Sequence, residues 1–136
     1  MIWQVGAKSM AQCKVLIVDD DHRTREAMGE ILTRAGYDVI SRSSGEGLEE
    51  LLRQHEFAAA VIDYNLPRRN GLEIAHSLRQ QQPHCRTILI SSEYQPYRQP
   101  SGLTAAVDRF LAKPFSKTVL LAAMTALCPS GQHLSD

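Results

Sequence analysis

Apolar residues along this chain fall into five short continuous runs, separated by stretches in which they recur at every third or fourth position. Lys14-Val15-Leu16-Ile17-Val18 is the first run. It is short and rich in β-branched residues, the pattern of a strand covered on both faces. Asp21 can cap the helix that follows, whose Ala27, Ile31, Leu32 and Ala35 recur at helical spacing before Gly36 supplies a left-handed stop. Tyr37-Asp38-Val39-Ile40 reads as a second strand. Ser43 with Glu46 three residues later predicts a capping box, with Leu48, Leu51 and Leu52 as the buried stripe behind it. Ala58 to Ile62 is a third strand, and a turn containing Pro67 and Gly71 leads to a helix carrying Leu72, Ala75 and Leu78, closed by Pro83. Thr87-Ile88-Leu89-Ile90 is a fourth strand and Phe110-Leu111-Ala112 a fifth. Ser116 then caps a last helix with Leu120, Ala123, Met124 and Leu127 on one side.

Strands alternating with helices predict an α/β fold, a doubly wound parallel sheet of five strands with right-handed crossovers. The chain's 136 residues suit one domain. Residues 13–128 carry the periodic pattern; 1–12 read as an N-terminal extension and 129–136 as a tail. Lysine plus arginine equals aspartate plus glutamate, 15 each, which removes the electrostatic case for direct nucleic-acid or anionic-membrane binding. No apolar run approaches the ~20 residues that span a bilayer. MIWQVGAKSMAQ lacks a charged start followed by a long apolar stretch, so no signal peptide is expected and the expected location is the cytoplasm. Cys13, Cys85 and Cys128 are far apart and odd in number, which favours free thiols over a disulfide framework or a zinc site. The five histidines show no metal-ligand spacing, and His22 reads as a solvated residue in a first helical turn.

In open parallel sheets ligands bind beyond the carboxyl ends of the strands, and the most unusual residues of this chain fall there. Strand one ends in Asp19-Asp20-Asp21, strand three in Asp63, strand four in Ser91-Ser92 and strand five in Lys113-Pro114. A helix start explains Asp21. It does not explain two further acids emerging from a buried apolar strand, whose mutual repulsion calls for a hard cation such as Mg²⁺. Lys113 reads as an exposed strand-end charge whose removal costs little stability. Together the set has the parts of phosphoryl transfer: a carboxylate nucleophile, a metal cradle, a hydroxyl donor and a cation for the phosphoryl oxygens.

VLIVDDD, VIDYNLPRRNG, ILISSE and RFLAKPF, in that order and at these separations, resemble the receiver domain of two-component response regulators, from about Val15 to Leu127. The resemblance implies a flavodoxin-like (βα)5 fold with strand order 2-1-3-4-5, the order of CheY. It implies a signalling switch that phosphorylates and dephosphorylates itself rather than an enzyme acting on other substrates. Asp63 resembles the phosphoacceptor, fed by a sensor histidine kinase, a phosphotransfer protein or a small phosphodonor. Asp20, Asp63 and the carbonyl of Asn65 resemble the Mg²⁺ ligands, with Asp19 acting through metal-bound water. Lys113 resembles the partner of the phosphoryl oxygens, Pro114 the family's cis-proline, and Ser91 and Phe110 its hydroxyl and aromatic switch positions. Ser92 is small and leaves the phosphoryl oxygens accessible. The implied state is a monomer or weak homodimer acting on an unidentified downstream protein.

The departures lie between Glu93 and Phe110, where the family has its fourth helix. Pro96, Pro100 and Gly102 fall there, and interior prolines cost ~3 kcal/mol each, so this helix is expected to be atypical or missing and Tyr94 to Leu103 the most mobile internal part. Ala106 stands where the family usually has glycine. Three other readings compete. Asp63-x-Asn65 suggests a haloacid-dehalogenase-like phosphatase, but that family's Asp-x-Asp pair lies on its first strand. A flavodoxin-like cofactor binder would carry hydroxyls and glycine, not three aspartates, after strand one. A receiver-like binding module without phosphorylation remains as the third.

Overall fold

The structure, a computed structural model, describes residues 13–92 and 105–128. In chain order these form β1 (Lys14–Val18), α1 (His22–Arg34), β2 (Asp38–Arg42), α2 (Leu48–Gln54), β3 (Ala59–Asp63), α3 (Gly71–Gln81), β4 (Arg86–Ser91), β5 (Arg109–Ala112) and α4 (Lys117–Leu127). All five strands are parallel, in the order β2-β1-β3-β4-β5. The doubly wound order is the one expected. The interrupted helix expected over Tyr94–Leu103, the extension 1–12 and the tail 129–136 lie outside the described residues.

Successive strand side chains point to opposite faces, so each continuous apolar run is divided between two cores. Leu16, Val18, Ala60, Ile62 and Leu89 face α2 and α3, meeting Leu48, Leu51, Leu52, Leu72, Ala75 and Leu78. Val15, Ile17, Val61, Ile88 and Ile90 face α1 and α4, meeting Met28, Leu32, Leu120, Ala123 and Met124. Each large side chain fully buried in this way contributes roughly 1.5–3 kcal/mol. Among the described residues, β1, β3 and β4 carry half of the largest fully buried side chains and form the centre of the sheet.

Local chemistry sets the ends of the elements, and here the structure departs from expectation in places. Ser43 and Glu46 form no capping box. The Ser44 hydroxyl takes the Glu46 amide at 3.2 Å, and Gly47, left-handed at φ 76°, precedes α2, which therefore begins at Leu48. The capping box lies instead at Asn70 and Glu73, whose side chains each accept the other's backbone N–H, at 3.0 and 3.2 Å. Gly71 is the first residue of α3 rather than part of the turn before it. β2 starts one residue later than predicted and continues to Arg42, because its ladder with β1 extends as far as Val18. Ser116 caps α4 as predicted, accepting the Val119 amide at 3.1 Å. At the amino edge of the sheet Asp108 accepts from Arg79 at 3.1 Å and from the Thr87 amide at 2.8 Å, tying α3 to the starts of β4 and β5.

Candidate functional site

β1 and β3 are neighbours, with Val18 beside Ile62, so the acids that follow them meet at the carboxyl edge of the sheet. Asp19 is wholly buried and Asp63 only 4% exposed, while Asp20 stands at the solvent rim. One carboxylate oxygen from each of the three lies within 4.8 Å of the others. The backbone orients the two buried acids alike. Asp19 Oδ1 accepts the Asp21 amide at 2.9 Å, and Asp63 Oδ1 accepts the Asn65 amide at 3.3 Å. Their Oδ2 atoms converge on Lys113, whose Nζ is 3.3 Å from each. Arg25 also donates to the Asp19 carbonyl at 2.7 Å, fixing the start of α1 against the acid loop.

Lys113 is thus not the exposed charge the sequence suggested; its side chain is 21% exposed and closes the gap between two buried carboxylates. Burial works against its charge, but Asp19 and Asp63 outweigh that and hold its pKa above the ordinary lysine value. Burial, and then the charge of Asp19, pushes the Asp63 carboxyl up to about 6, with Lys113 and the Asn65 amide opposing the shift. A single ammonium cannot neutralise three acids. The surplus negative charge and the all-oxygen donor set suit a hard divalent cation.

Comparison with known proteins decides what this edge belongs to. Residues 15–125 match the family model of the response regulator receiver domain. The chain belongs to that family. The receiver is 32% identical over 114 residues to response regulator MprA of Mycobacterium sp. strain KMS, covering 84% of this chain and 50% of MprA. It spans about half the length of the curated relatives it matches. Among solved structures, chemotaxis response regulator CheY4 of Vibrio cholerae superposes with TM-score 0.76 at 25% identity, over 85% of this chain and 98% of that one. The BeF3-activated receiver domain of DrrB, a protein of Thermotoga maritima, gives 0.74 at 28% identity, over 85% and 97%. No helix among the receiver's described residues is long and apolar enough to cross a membrane.

The other residues singled out in the sequence surround the acids at different depths. Ser91 is buried at the end of β4, and its carbonyl takes the Lys113 amide at 2.8 Å. Ser92 is exposed beside it, and Asn65 is exposed in the turn after β3. Phe110 is half-buried on β5 against the α2–α3 core. The Lys113–Pro114 peptide is cis. Asp21 stands at the N-cap of α1, where the Thr24 hydroxyl donates to its carboxylate and lowers its pKa. His22 is exposed in the first turn of α1, as predicted. A groove of about 540 Å³ opens next to the receiver's acids, with Ala27, Met28, Ile31 and Phe115 on its walls and Lys113 and Ser92 at its rim.

Sequence reasoning missed the role of Gly71. A Cβ built there would lie 2.4 Å from the Asp63 carbonyl oxygen and 2.9 Å from its carbon. The start of α3 therefore packs directly on the backbone of the acid. Asn-Gly before a helix was the visible signal, but it is also an ordinary turn signal, and the close approach exists only once α3 folds onto β3.

Proposed function

We propose that this receiver accepts a phosphoryl group on Asp63 from a sensor histidine kinase, a phosphotransfer protein or a small phosphodonor, and that the modified edge of the sheet switches partner binding in the cytoplasm. The observation that carries the reading is the shared ammonium: Lys113 Nζ at 3.3 Å from Asp19 Oδ2 and Asp63 Oδ2, beside a third acid. Three features support Asp63 as the nucleophile. It terminates a strand buried at every residue, it is fixed by the Asn65 amide, and Lys113 already marks where negative charge collects beside it.

Asp19, Asp20, Asp63 and the Asn65 carbonyl would hold Mg²⁺, and Asp19 Oδ2 supports the fit. It is a buried carboxylate oxygen that, among the described residues, meets only the Lys113 ammonium. The cation, when bound, neutralises charge on the phosphoryl oxygens and on the acids. An Asp63 carboxylate oxygen attacks phosphorus. The bond from phosphorus to the donor's imidazole nitrogen breaks, and its electron pair leaves with that nitrogen. Lys113, released from Asp63 Oδ2, pairs with a phosphoryl oxygen while keeping Asp19. Ser91, one strand away and already tied through its carbonyl to the Lys113 amide, turns its hydroxyl to another phosphoryl oxygen, and Phe110 repacks behind it. Water later cleaves the acyl phosphate and restores Asp63.

Intact-mass analysis after incubation with Mg²⁺ and acetyl phosphate tests the reading. A single labile phosphate adduct is expected on the wild type and none on Asp63→Asn. An adduct that survives Asp63→Asn, or none on the wild type, overturns it. Melts with millimolar Mg²⁺ test the cation site: Tm should rise in the wild type, and an equal rise in Asp20→Asn contradicts the ligand set.

A further inference from the structure

The groove beside the acids lies between α1 and the loop after β5, and its lining is divided by chemistry. Thr24, Ala27, Met28 and Ile31 recur at helical spacing, so one face of α1 forms a wall, and Phe115 contributes to the other. The charged residues that line it are Arg23, Lys113 and Lys117; among the described residues no carboxylate does. A second hollow, between the loops after β2 and β3, also carries arginines. There the charges are already paired, Arg68 with Glu46 at 3.6 Å and Arg69 with Glu49 at 3.9 Å. The α1 groove is different: apolar walls and unbalanced positive charge suit an anion with an apolar tail. Its volume, about 540 Å³, falls in the range of small-molecule sites. It also shares Lys113 with the acid cluster, and that ammonium is 3.3 Å from Asp63 Oδ2. The groove is therefore continuous with the point where a phosphoryl group would meet Asp63.

We infer that this groove selects small phosphodonors by their leaving group, favouring acyl phosphates whose apolar chain extends beyond an acetyl methyl. The inference rests on the reading of Asp63 as the phosphoacceptor and adds the class of donor. Arg23, Lys113 and Lys117 attract the dianionic phosphoryl end, and the acyl chain lies along Ala27, Ile31 and Phe115. Ala27 is exposed and Ile31 and Phe115 are half-buried, so each has surface left for chain carbons to cover. An Asp63 carboxylate oxygen attacks phosphorus. The bond from phosphorus to the acyl oxygen breaks, and its electron pair leaves on a free carboxylate. No proton moves, and the three negative charges of the reactants are those of the products. The chain touches the groove both in the bound donor and in the transition state, so its burial raises the rate at sub-saturating donor.

Butanoyl and acetyl phosphate differ by two methylenes remote from the breaking bond, which leaves their intrinsic reactivity alike. A fully buried methylene is worth about fourfold; in a groove open on one side about threefold each is expected, so about tenfold for the pair. The test measures initial rates of adduct formation by intact mass, with Mg²⁺ and equal low concentrations of either donor. Three proteins are compared: the wild type, Ala27→Trp, which fills the groove from an exposed helix position, and Thr33→Trp, an exposed α1 position outside it. Butanoyl phosphate should react about tenfold faster than acetyl phosphate with the wild type and with Thr33→Trp. Ala27→Trp should bring the ratio to about one while its acetyl phosphate rate stays within about twofold of the wild type. Ala27→Glu, which sets a carboxylate against the chain, should lower the ratio as well and serves if the tryptophan variant folds poorly. A wild-type ratio near one overturns the inference and leaves the groove to a partner protein. An excess that survives both Ala27 variants, or an equal slowing of both donors by them, also overturns it. With acetyl phosphate reacting normally, such results leave Asp63 as the phosphoacceptor; only a wild type inert to both donors removes that reading too.

Discussion

Gly71→Ala adds one methyl group at the first residue of α3, where helix propensity and packing pull in opposite directions. Replacing glycine with alanine in a helix interior stabilises by about 1 kcal/mol, and less at a first position. Against this, the new carbon would sit 2.4 Å from the Asp63 carbonyl oxygen and 2.8 Å from Leu89 Cδ1. Leu89 Cδ1 is the end of a flexible side chain and can yield. The carbonyl cannot yield so easily, because Asp63 pairs with Ile90 in the ladder and the next amide, Tyr64, donates to the Ile90 carbonyl at 2.8 Å. Relief therefore requires α3 and the end of β3 to separate by most of an ångström. Overpacking of this kind costs about 1–3 kcal/mol. The expected net loss is about 1–2 kcal/mol, a Tm lower by roughly 4–8 °C. The displaced atoms belong to Asp63, so the rate of adduct formation with acetyl phosphate should fall about tenfold or more. Gly29→Ala is the control: it lies within α1 with nothing within 4 Å of the added carbon, and should stabilise by about 0.5–1 kcal/mol. Urea titration of the three proteins gives the comparison. Gly71→Ala as stable as Gly29→Ala, with unchanged phosphorylation, would refute the reasoning.

Lys113→Ala leaves Asp19 and Asp63 without their shared ammonium and should destabilise the cation-free protein by about 1–3 kcal/mol, less than for a fully buried pair because Lys113 is partly solvated. Millimolar Mg²⁺ should restore most of this, and a variant that melts like the wild type in EDTA contradicts it. The Asp63 carboxyl, at about 6 in the folded protein against an ordinary 3.8, contributes stability that is full below pH 3.8 and lost as pH rises through about 6. Without divalent cation, Asp63→Asn should therefore gain on the wild type in Tm between pH 4 and 7, and a difference that stays flat across that range argues against the raised value. Asn70→Ala removes the acceptor for the Glu73 amide and should cost about 1 kcal/mol, read as a lower urea midpoint at unchanged slope.

Much of this receiver is written locally. The runs Lys14–Val18 and Ala59–Asp63 are apolar at nearly every position, and only a strand covered on both faces has use for that pattern. The acids at their ends could be assigned to one edge of a parallel sheet from the chain alone, since parallel strands all finish on the same side. The resemblance of four ordered motifs then supplied the strand order, because periodicity does not distinguish 2-1-3-4-5 from other windings. Tertiary structure decided what depends on separation in space rather than along the chain. Ser43 and Glu46 have the right spacing for a cap, but left-handed Gly47 starts α2 four residues too late for them to use it. Lys113 looks solvent-facing beside a proline, yet the order β3-β4-β5 lays it across β4 onto two buried carboxylates.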